Sequence, residues 1–379
     1  MKLSSLEVLF CDGGWRDFIF VKGVSDNCIG WSEVTDSHGS PKGLKAVIED
    51  LSSLVVGRDI APERTYWDLY QATRQTPGGL IAKAIGGIEN CLWDLKGKEL
   101  GVPVYELLGG PTRETVPCYW SHCGTTRARA WEVTKTQKLD SYERVMDLAV
   151  EVENRGFSAL KTNIVIPGKN PLVLHPGFGG GPADGNVTPD LLDNMRALIS
   201  AFKQANVEVI LDLNFNFKPE SVIRIAEELD DLLWLEVDSY SPEALAYIRS
   251  KVKVPITTGE NLYGCQRALA YMKSCDLLSI DLPWNGLSQA KKMADMAQAH
   301  ELNITPHNYY SHLATFMSAN LCATIPNVRM LEVDVDDVPW KDELTDAPQI
   351  DNGYLSVLKT PGWGCDVDEK VLRKHQGRH

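Results

Sequence analysis

The sequence lacks the features that mark membrane-spanning and secreted chains. It contains no run of 18 apolar residues, which a membrane-spanning helix would need. Its first residues, MKLSSLEVLF, resemble a strand rather than a charged segment followed by an apolar one, so we expect no cleaved signal peptide. The nine cysteines include no CxxC pair and lie mostly inside apolar segments, as reduced core residues do. We therefore expect a soluble, cytoplasmic protein.

Positive charge is also scarce. The chain has 38 Lys and Arg residues against 51 Asp and Glu residues, which gives a formal net charge of -13. This balance argues against nucleic acid or an anionic membrane as a partner. It does not exclude a small anionic substrate, because a bound dication and one or two lysines set the field inside a pocket.

The pattern of apolar residues divides the chain into three parts. Residues 1–112 contain three strand-like runs, typical of an antiparallel meander, followed by helical periodicity, which predicts an α+β capping domain. In residues 113–339, eight short apolar runs alternate with amphipathic helices, which predicts an α/β fold of the modified (β/α)₈ TIM barrel type. Residues 340–379 lose this rhythm, and we expect them to pack back on the capping domain.

A glycine- and proline-rich segment, 164–188, interrupts the barrel pattern and includes PGFGGGPADG. A long loop directly after a barrel strand lies at the catalytic face, where it would cover the pocket. A tolerated surface insertion is an equal alternative.

Three acidic residues, Asp212, Glu236 and Glu260, follow one another at intervals of 24 residues, and each closes a short apolar run. Because short βαβ connections make consecutive strands parallel neighbours, the three side chains emerge at the same end of one sheet. Three oxygen ligands that meet at one point are typical of a magnesium site. The alternative is that each carboxylate caps the following helix. Three in phase favour the metal site.

Other polar residues also stand at predicted strand ends. Asp281 and His307 end neighbouring strands, and a carboxylate beside an imidazole fixes its tautomer and makes it a general base. A metal with such a base suits removal of the proton next to a carboxylate, since a dication stabilises the enediolate that forms. The further polar residues at these ends are Tyr119, His122, Lys161, Asn163, Asn214, Asp238, Tyr309 and Glu332.

Three stretches of the chain resemble the enolase superfamily, mandelate racemase subgroup. They are GWSE (30–33), AIGGIENCLWDLKGKELGVPVYELLGG (84–110) and PGWGCDVDE (361–369), and the resemblance covers nearly the whole chain. It implies a homo-oligomer, commonly a multiple of two, and a metal-assisted proton abstraction of the kind known for this superfamily. The residues that match the family's motifs are Asp212, Glu236 and Glu260 for Mg²⁺, Asp281 and His307 for the base, and Glu332 for the substrate acid group or the enolate.

Two departures from the family's pattern limit what the resemblance implies. The Lys-x-Lys of the second strand reads Lys161-Thr162-Asn163, and the Glu-Glu-Pro of the fourth strand reads Glu236-Val237-Asp238. Racemisation needs a base on each face of the carbon, and an asparagine cannot be one. Muconate-type lactonisation is disfavoured further, because no lysine stands at the sixth strand. Lys-x-Asn resembles the galactonate dehydratases of the subgroup.

The resemblance therefore implies a Mg²⁺-dependent dehydratase that acts on a sugar acid, either an aldonate or an aldarate. In this reaction His307, backed by Asp281, removes the α-proton, Lys161 binds the substrate carboxylate, and the 3-hydroxyl leaves to give a 2-keto-3-deoxy sugar acid. The alternatives are a sugar-acid epimerase, a lactone cycloisomerase, or a barrel that has lost its chemistry.

Two parts of this expectation stay open at the level of sequence. The proton for the leaving hydroxyl comes from His307 or from a second acid, for which Tyr309, Tyr119 and His122 are candidates; we also expect Tyr309 and His122 to contact the substrate. Asn163 and Asn214 suit hydrogen bonds to substrate hydroxyls or a structural role beneath the metal.

Overall fold

The N-terminal part of the computed structural model, which describes residues 1–174 and 182–377, is a three-stranded sheet covered by helices. Its elements are β1 Leu3–Asp12, β2 Asp17–Ser25, β3 Ile29–Glu33, α1 Pro41–Ser52, α2 Pro62–Ala72 and α3 Gly79–Leu100, and a 3₁₀ turn, Val104–Leu108, follows them. The strands pair in the order β1-β2-β3, and both pairs are antiparallel, so the predicted meander is confirmed.

Helix α3 is buried on more than one face because it lies between the sheet and the barrel. Its apolar residues pack into the core of the N-terminal part. On another face Asn90 Nδ2 donates to the carbonyl of Leu282, and Asn90 Oδ1 accepts from the backbone N–H of Leu287. The helix ends at Gly101, whose φ of 70° is the left-handed conformation that glycine adopts without strain. Helix α3 thus joins the two parts of the molecule.

The second part is a closed barrel of parallel strands. In chain order its strands and one inserted hairpin are β4 Thr115–Ser121, β5 Ala159–Thr162, β6 Ile164–Ile166, β7 Leu172–Leu174, β8 Glu208–Asp212, β9 Trp234–Glu236, β10 Ile256–Thr258, β11 Leu277–Leu278, β12 Asn303–Ile304 and β13 Leu331–Asp334. Strands β4, β5 and β8 to β12 are parallel neighbours in that order, and β13 pairs with β4. A bridge from Ile304 to Val328 closes the ring, which confirms the predicted barrel with its N-terminal cap.

The connections between barrel strands are helical, as the amphipathic segments predicted. The helices are α4 Thr125–Arg129, α5 Trp131–Thr134, α6 Tyr142–Asn154, α7 Pro189–Phe202, α8 Pro219–Glu228, α9 Pro242–Arg249, α10 Gly264–Tyr271, α11 Leu282–Asn285, α12 Leu287–Ala299 and α13 His312–Ala323. Several begin at a Ser or Thr whose hydroxyl accepts a backbone N–H, for example Ser141 for α6 and Thr188 for α7. Among residues 1–174 and 182–377 we find no helix with the length and apolar character that a bilayer crossing requires.

The segment 164–188 begins with a small antiparallel hairpin formed by β6 and β7. Part of the PGFGGGPADG stretch lies outside the described residues, which exclude 175–181. That this segment covers the pocket therefore stays a prediction.

The C-terminal segment contacts both parts of the molecule. It contains α14 Lys341–Leu344, β14 Ile350–Asp351, β15 Tyr354–Ser356 and α15 Glu369–Lys374. Strand β15 adds to the barrel by antiparallel pairing with β4. Towards the cap, the indole N–H of the fully buried Trp363 donates to the carbonyl of Trp31, and its backbone N–H donates to Asp94.

A buried carboxyl group, Glu89, lies where α3 meets α12. Its Oε1 accepts from the backbone N–H of Ser288 at 3.1 Å and from the indole of Trp93 at 2.8 Å, whereas Oε2 has no partner among the described residues. Burial raises the pKa of Glu89 to about 7. The folded protein therefore holds this proton more tightly than the unfolded chain does.

We predict that Glu89 makes the protein less stable as the pH rises. Because its pKa is raised on folding, its protonated form stabilises the fold fully below about pH 4.5, and this contribution is lost as the pH approaches about 7 and above. Glu89→Gln stays neutral, so it should match the wild type near pH 5 and exceed it by about 2–3 kcal/mol near pH 8.5. Urea unfolding at both pH values measures the difference. A constant gap between the two proteins at both pH values would contradict the prediction.

Candidate active site

The alternation of side chains along the barrel strands explains which residues reach the cavity. Inside the barrel lies an apolar layer made of Tyr119, Ala159, Ile210, Trp234, Leu277 and Met330. Residues two positions further along a strand share its face, so Lys161, Asp212 and Glu236 stand in the next layer towards the carboxyl ends. Asp212 and Glu236 are paired directly across β8 and β9. The strand order thus brings these predicted residues together.

Lys161 lies at the centre of this layer, fully enclosed. Its Nζ is 2.9 Å from Glu236 Oε2, 2.9 Å from Glu332 Oε1 and 3.7 Å from Asp212 Oδ2. Burial alone would lower the pKa of Lys161, but the charges of Glu236 and Glu332 leave it raised well above its ordinary value. Lys161 is therefore an ammonium ion and cannot accept a proton.

The three predicted metal ligands carry a high density of negative charge. Burial, the largest cause, raises the pKa of Asp212 to about 6 and that of Glu236 to about 7, and repulsion between the carboxylates adds to it. The pKa of Glu260 is raised as well, again mainly by burial. Asp212 and Glu236 are buried and Glu260 is partly buried, and three oxygen donors that resist ionisation are a set that a hard dication would stabilise. The chemistry of the donor set therefore fits Mg²⁺.

The side chains of the three predicted metal ligands are not arranged around a single point in this structure. Within residues 1–174 and 182–377, no three His, Cys, Asp or Glu side chains already stand in positions to coordinate one ion. Glu260 Oε2 is instead 3.5 Å from His307 Nε2, while Lys161 takes up the charge of Glu236. The metal assignment of Asp212, Glu236 and Glu260 stays a prediction that rests on donor type and charge.

The expected pair of Asp281 and His307 is formed. His307 Nδ1 is 2.6 Å from Asp281 Oδ2, and the other oxygen of Asp281 accepts from the backbone N–H of Trp284 at 2.7 Å. Burial alone would lower the pKa of His307, but Glu260 and Asp281 raise it to about 10. Nδ1 is held by Asp281 and Nε2 faces Glu260, whose charge does most to raise this pKa. A cation held by Glu260 would lower the pKa of His307 and leave Nε2 free to take a proton.

A residue that the sequence did not single out completes this pair. The hydroxyl of Tyr310 donates to Asp281 Oδ2, the same oxygen that contacts His307, and the ring stands edge-on to the imidazole. Tyr310 is buried beside the reacting residues, whereas its neighbour Tyr309 points elsewhere. The one signal in the sequence that could have pointed to Tyr310 is its position three residues after His307.

Tyr309 and His122 lie where the cap meets the barrel. The phenol oxygen of Tyr309 accepts from Trp15 Nε1 and from Arg129 Nη2, and its ring packs on His122 with 4.2 Å between ring centroids. The Arg16 guanidinium lies 4.3 Å from the centroid of the Tyr309 ring. The capping domain therefore reaches the cavity through residues 15 and 16, and contact of Tyr309 and His122 with a substrate stays a prediction.

Glu332 is engaged by other protein groups. Its Oε1 contacts Lys161 and the hydroxyl of Ser121, and its Oε2 accepts from the backbone N–H of Asn308 at 2.9 Å. Burial would raise the pKa of Glu332, but Lys161 and His307 lower it to about 2. The geometry favours Glu332 as the residue that positions Lys161, and its predicted contact with the substrate has not been tested.

Asn163 and Asn214 differ in how many of their side-chain atoms are already hydrogen-bonded to other protein groups. Asn163 Oδ1 accepts from Thr125 at 3.1 Å and Asn163 Nδ2 donates to Asn214 Oδ1 at 3.0 Å, which favours the structural alternative for Asn163. Asn214 has a positive φ of 48° and donates its backbone N–H to Asp212 Oδ1 at 2.9 Å. Its Nδ2 donates no hydrogen bond within the described residues, so Asn214 is the asparagine that can bind a ligand.

Comparison with known proteins finds matches to one superfamily in both the N-terminal and the barrel part of the chain. Residues 144–371 match the family described as enolase C-terminal domain-like, and residues 15–109 match the mandelate racemase / muconate lactonizing enzyme N-terminal domain. A D-xylonate dehydratase of Haloferax volcanii is 27% identical, with 99% of this chain and 89% of that protein aligned. A D-galactarolactone cycloisomerase of Agrobacterium fabrum is also 27% identical, over 92% of this chain and 88% of that protein.

A solved structure is similar at higher identity. It is a candidate L-alanine-DL-glutamate epimerase of Burkholderia xenovorans strain LB400, bound to magnesium and fumarate. It is 41% identical to this chain, with a TM-score of 0.96, and the match covers 100% of this chain and 96% of that one.

We predict that replacing Lys161 makes the fold depend on a divalent cation. In Lys161→Met the carboxylates of Glu236 and Glu332 lose their internal counter-charge, which costs about 3–5 kcal/mol for a buried pair. We expect a lower melting temperature than the wild type in EDTA, and a larger rise on adding Mg²⁺, as measured by differential scanning fluorimetry. Lys291→Met, which removes a surface pair with Asp295, is the matched control and should change neither value. An equal response to Mg²⁺ in Lys161→Met and the wild type would contradict the idea that the amine and the cation share these carboxylates.

Proposed function

Since the chain belongs to the enolase superfamily, in its mandelate racemase subgroup, we propose that it is a Mg²⁺-dependent dehydratase of a sugar acid. The observation that carries the proposal is the pair of Asp281 and His307, with one imidazole nitrogen held and the other directed at the carboxylate cluster. A single base of this kind suits removal of an α-proton followed by loss of a hydroxyl group. The curated relatives that are named as D-xylonate, D-galactonate and D-gluconate dehydratases support this reaction class.

We assign the metal to Asp212, Glu236 and Glu260. Mg²⁺, when bound, supplies positive charge that lowers the energy of an enediolate. The relative with bound magnesium and fumarate supports this assignment, because it aligns over the whole of this chain.

The side chains of the site bind the substrate and transfer the protons of the proposed reaction. The Lys161 ammonium, held by Glu332, attracts the substrate carboxylate. His307 Nε2 takes the α-proton while Asp281 holds the N–H of Nδ1 and stabilises the imidazolium that forms. The protonated His307 then returns the proton to the departing 3-hydroxyl, which leaves as water. The resulting enol gains a proton at C3 and loses the proton of its 2-hydroxyl, which gives a 2-keto-3-deoxy acid.

Of the alternative proton donors, Tyr309 is the one whose O–H donates no hydrogen bond within the described residues. Its phenol oxygen accepts two hydrogen bonds, so its own O–H is left to donate. Tyr119 packs edge-on against Trp234 in the apolar layer below Lys161, and His122 Nδ1 is hydrogen-bonded to Ser121.

Epimerisation is the competing reaction, because the 41% identical relative is named as a candidate epimerase. An epimerase needs a second base on the face opposite His307. At the second strand, where the family's racemases carry such a base, stand Lys161, which is held as an ammonium, and Asn163, which has no basic atom. The site therefore supports dehydration better than epimerisation. A lactone cycloisomerase would start with the same proton abstraction, so its products separate it from a dehydratase.

The proposal predicts 2-keto acid formation from at least one member of an aldonate and aldarate library. The measurement is a colour assay for 2-keto acids with Mg²⁺, and EDTA should abolish the signal. If no sugar acid gives a 2-keto acid while solvent deuterium enters the α-carbon with inversion, the enzyme is an epimerase and the proposal fails.

We further predict that His307→Asn lowers turnover by about 10²–10⁴-fold, the usual contribution of a general base. The same variant should lose deuterium exchange at the α-carbon, as followed by NMR. His300→Asn, which changes an exposed histidine, is the control and should keep wild-type turnover. Full turnover by His307→Asn would reject His307 as the base.

A further inference from the structure

One carboxylate of the site, Asp238, has no hydrogen-bond partner in the part of the chain that the structure describes. Asp238 follows Glu236 by two residues and is only 5% exposed. Neither of its side-chain oxygens has a hydrogen-bond partner among the described residues. The charged groups nearest to it are Glu260, Asp212, Glu236 and His307, all of which belong to this site.

The other carboxylates of the cavity are engaged, which makes Asp238 the exception within the described residues. Glu236 and Glu332 contact Lys161, and Asp281 contacts His307. A buried carboxyl group without hydrogen-bond donors destabilises the fold. A buried polar group of this kind needs an explanation, and the simplest is a ligand that supplies the missing donor.

Asn214 lies beside Asp238 and leaves a complementary group unused. The backbone N–H of Asp238 donates to the carbonyl of Asn214 at 3.2 Å, so the two residues are neighbours at the ends of β8 and β9. Within residues 1–174 and 182–377, Asn214 Nδ2 donates no hydrogen bond and the Asp238 oxygens accept none. A hydroxyl group both donates and accepts, so it matches this pair, whereas a carboxylate would be repelled by Asp238.

We propose that Asp238 and Asn214 form a subsite that binds a hydroxyl of the substrate beyond C2. Strands β8 and β9 are the third and fourth of the barrel and β12 is the seventh, so this subsite faces His307 across the cavity. The subsite selects an acid that extends away from the base and carries a further hydroxyl. The proposal rests on the proposed function for the placement of the substrate acid group near Lys161.

This chain departs from the family's usual pattern at the proposed subsite. Where Glu-Glu-Pro is usual for the family, this chain has Glu236-Val237-Asp238, so an acceptor replaces a proline ring that can make no side-chain hydrogen bond.

Ligand binding tests the proposal without relying on turnover. The protein is His307→Asn with Mg²⁺, and calorimetry measures the affinities for D-xylonate, D-galactonate, D-gluconate and glycolate. Glycolate keeps the carboxylate and the 2-hydroxyl but has no further hydroxyl. Asp238→Ala, Asn214→Ala and the double variant are added to this background, with the exposed Asp230→Ala as control.

We expect Asp238→Ala and Asn214→Ala each to weaken the tightest aldonate by about 10- to 100-fold, as for a lost charged or buried hydrogen bond. Glycolate and Mg²⁺ affinities should stay within about twofold, which also shows that each variant is folded. Because both residues bind one hydroxyl, the double variant should lose less than the product of the two single losses.

Three results would overturn the proposal. The first is equal aldonate affinity with and without Asp238. The second is a loss of Mg²⁺ affinity in Asp238→Ala as large as that in Glu236→Gln, which would make Asp238 a metal ligand. The third is no measurable binding of any of the three aldonates. If the aldonates bind as expected but the wild type forms no 2-keto acid, the dehydratase assignment fails and the hydroxyl subsite stands.

Discussion

A buried cluster of carboxylates at the carboxyl ends of the barrel strands is the constraint on which the rest of the site depends. Glu236, Glu332 and Asp212 share the single ammonium of Lys161, which cannot neutralise all of them. Such charge is held in a protein interior only when other groups oppose it or when protons and cations bind. The positive charge of Lys161 acts unevenly on these carboxylates. The pKa of Glu332 is lowered, whereas the pKa values of Asp212 and Glu236 stay raised.

The cap and the barrel are joined at the residues that hold the base. Trp284 donates its backbone N–H to Asp281 and its indole N–H to the carbonyl of Thr35 in the cap. Lys83, on α3, lies 3.5 Å from the centroid of the same indole ring. The orientation of the Asp281 and His307 pair is therefore tied to the packing of α3, the helix that also buries Glu89. The interface between α3 and the barrel therefore contributes to the stability of the fold and also to the position of His307.

Much of the fold could be predicted because each of its signals is local. The alternation of apolar runs with amphipathic segments predicts the barrel, and the common spacing of Asp212, Glu236 and Glu260 follows from one strand and one helix per unit. The pairing of Asp281 with His307 also follows from strand order, since neighbouring strands end side by side. Boundaries were less certain: the sixth and seventh barrel strands are only two residues long, although the apolar runs are longer.

The order of residues in the chain is enough to tell which residue types stand at each strand end and at which end of the barrel they meet. Which atoms of those residues are engaged depends on the folded structure. It enclosed both ends of Asn163 and Glu332 in contacts with the protein and placed Tyr310 on Asp281. Among the described residues, it gave Asp238 no hydrogen-bond donor. The physical reason is that strand periodicity sets the face on which a side chain lies, whereas a hydrogen bond depends on distances of a few tenths of an ångström between segments far apart in the chain.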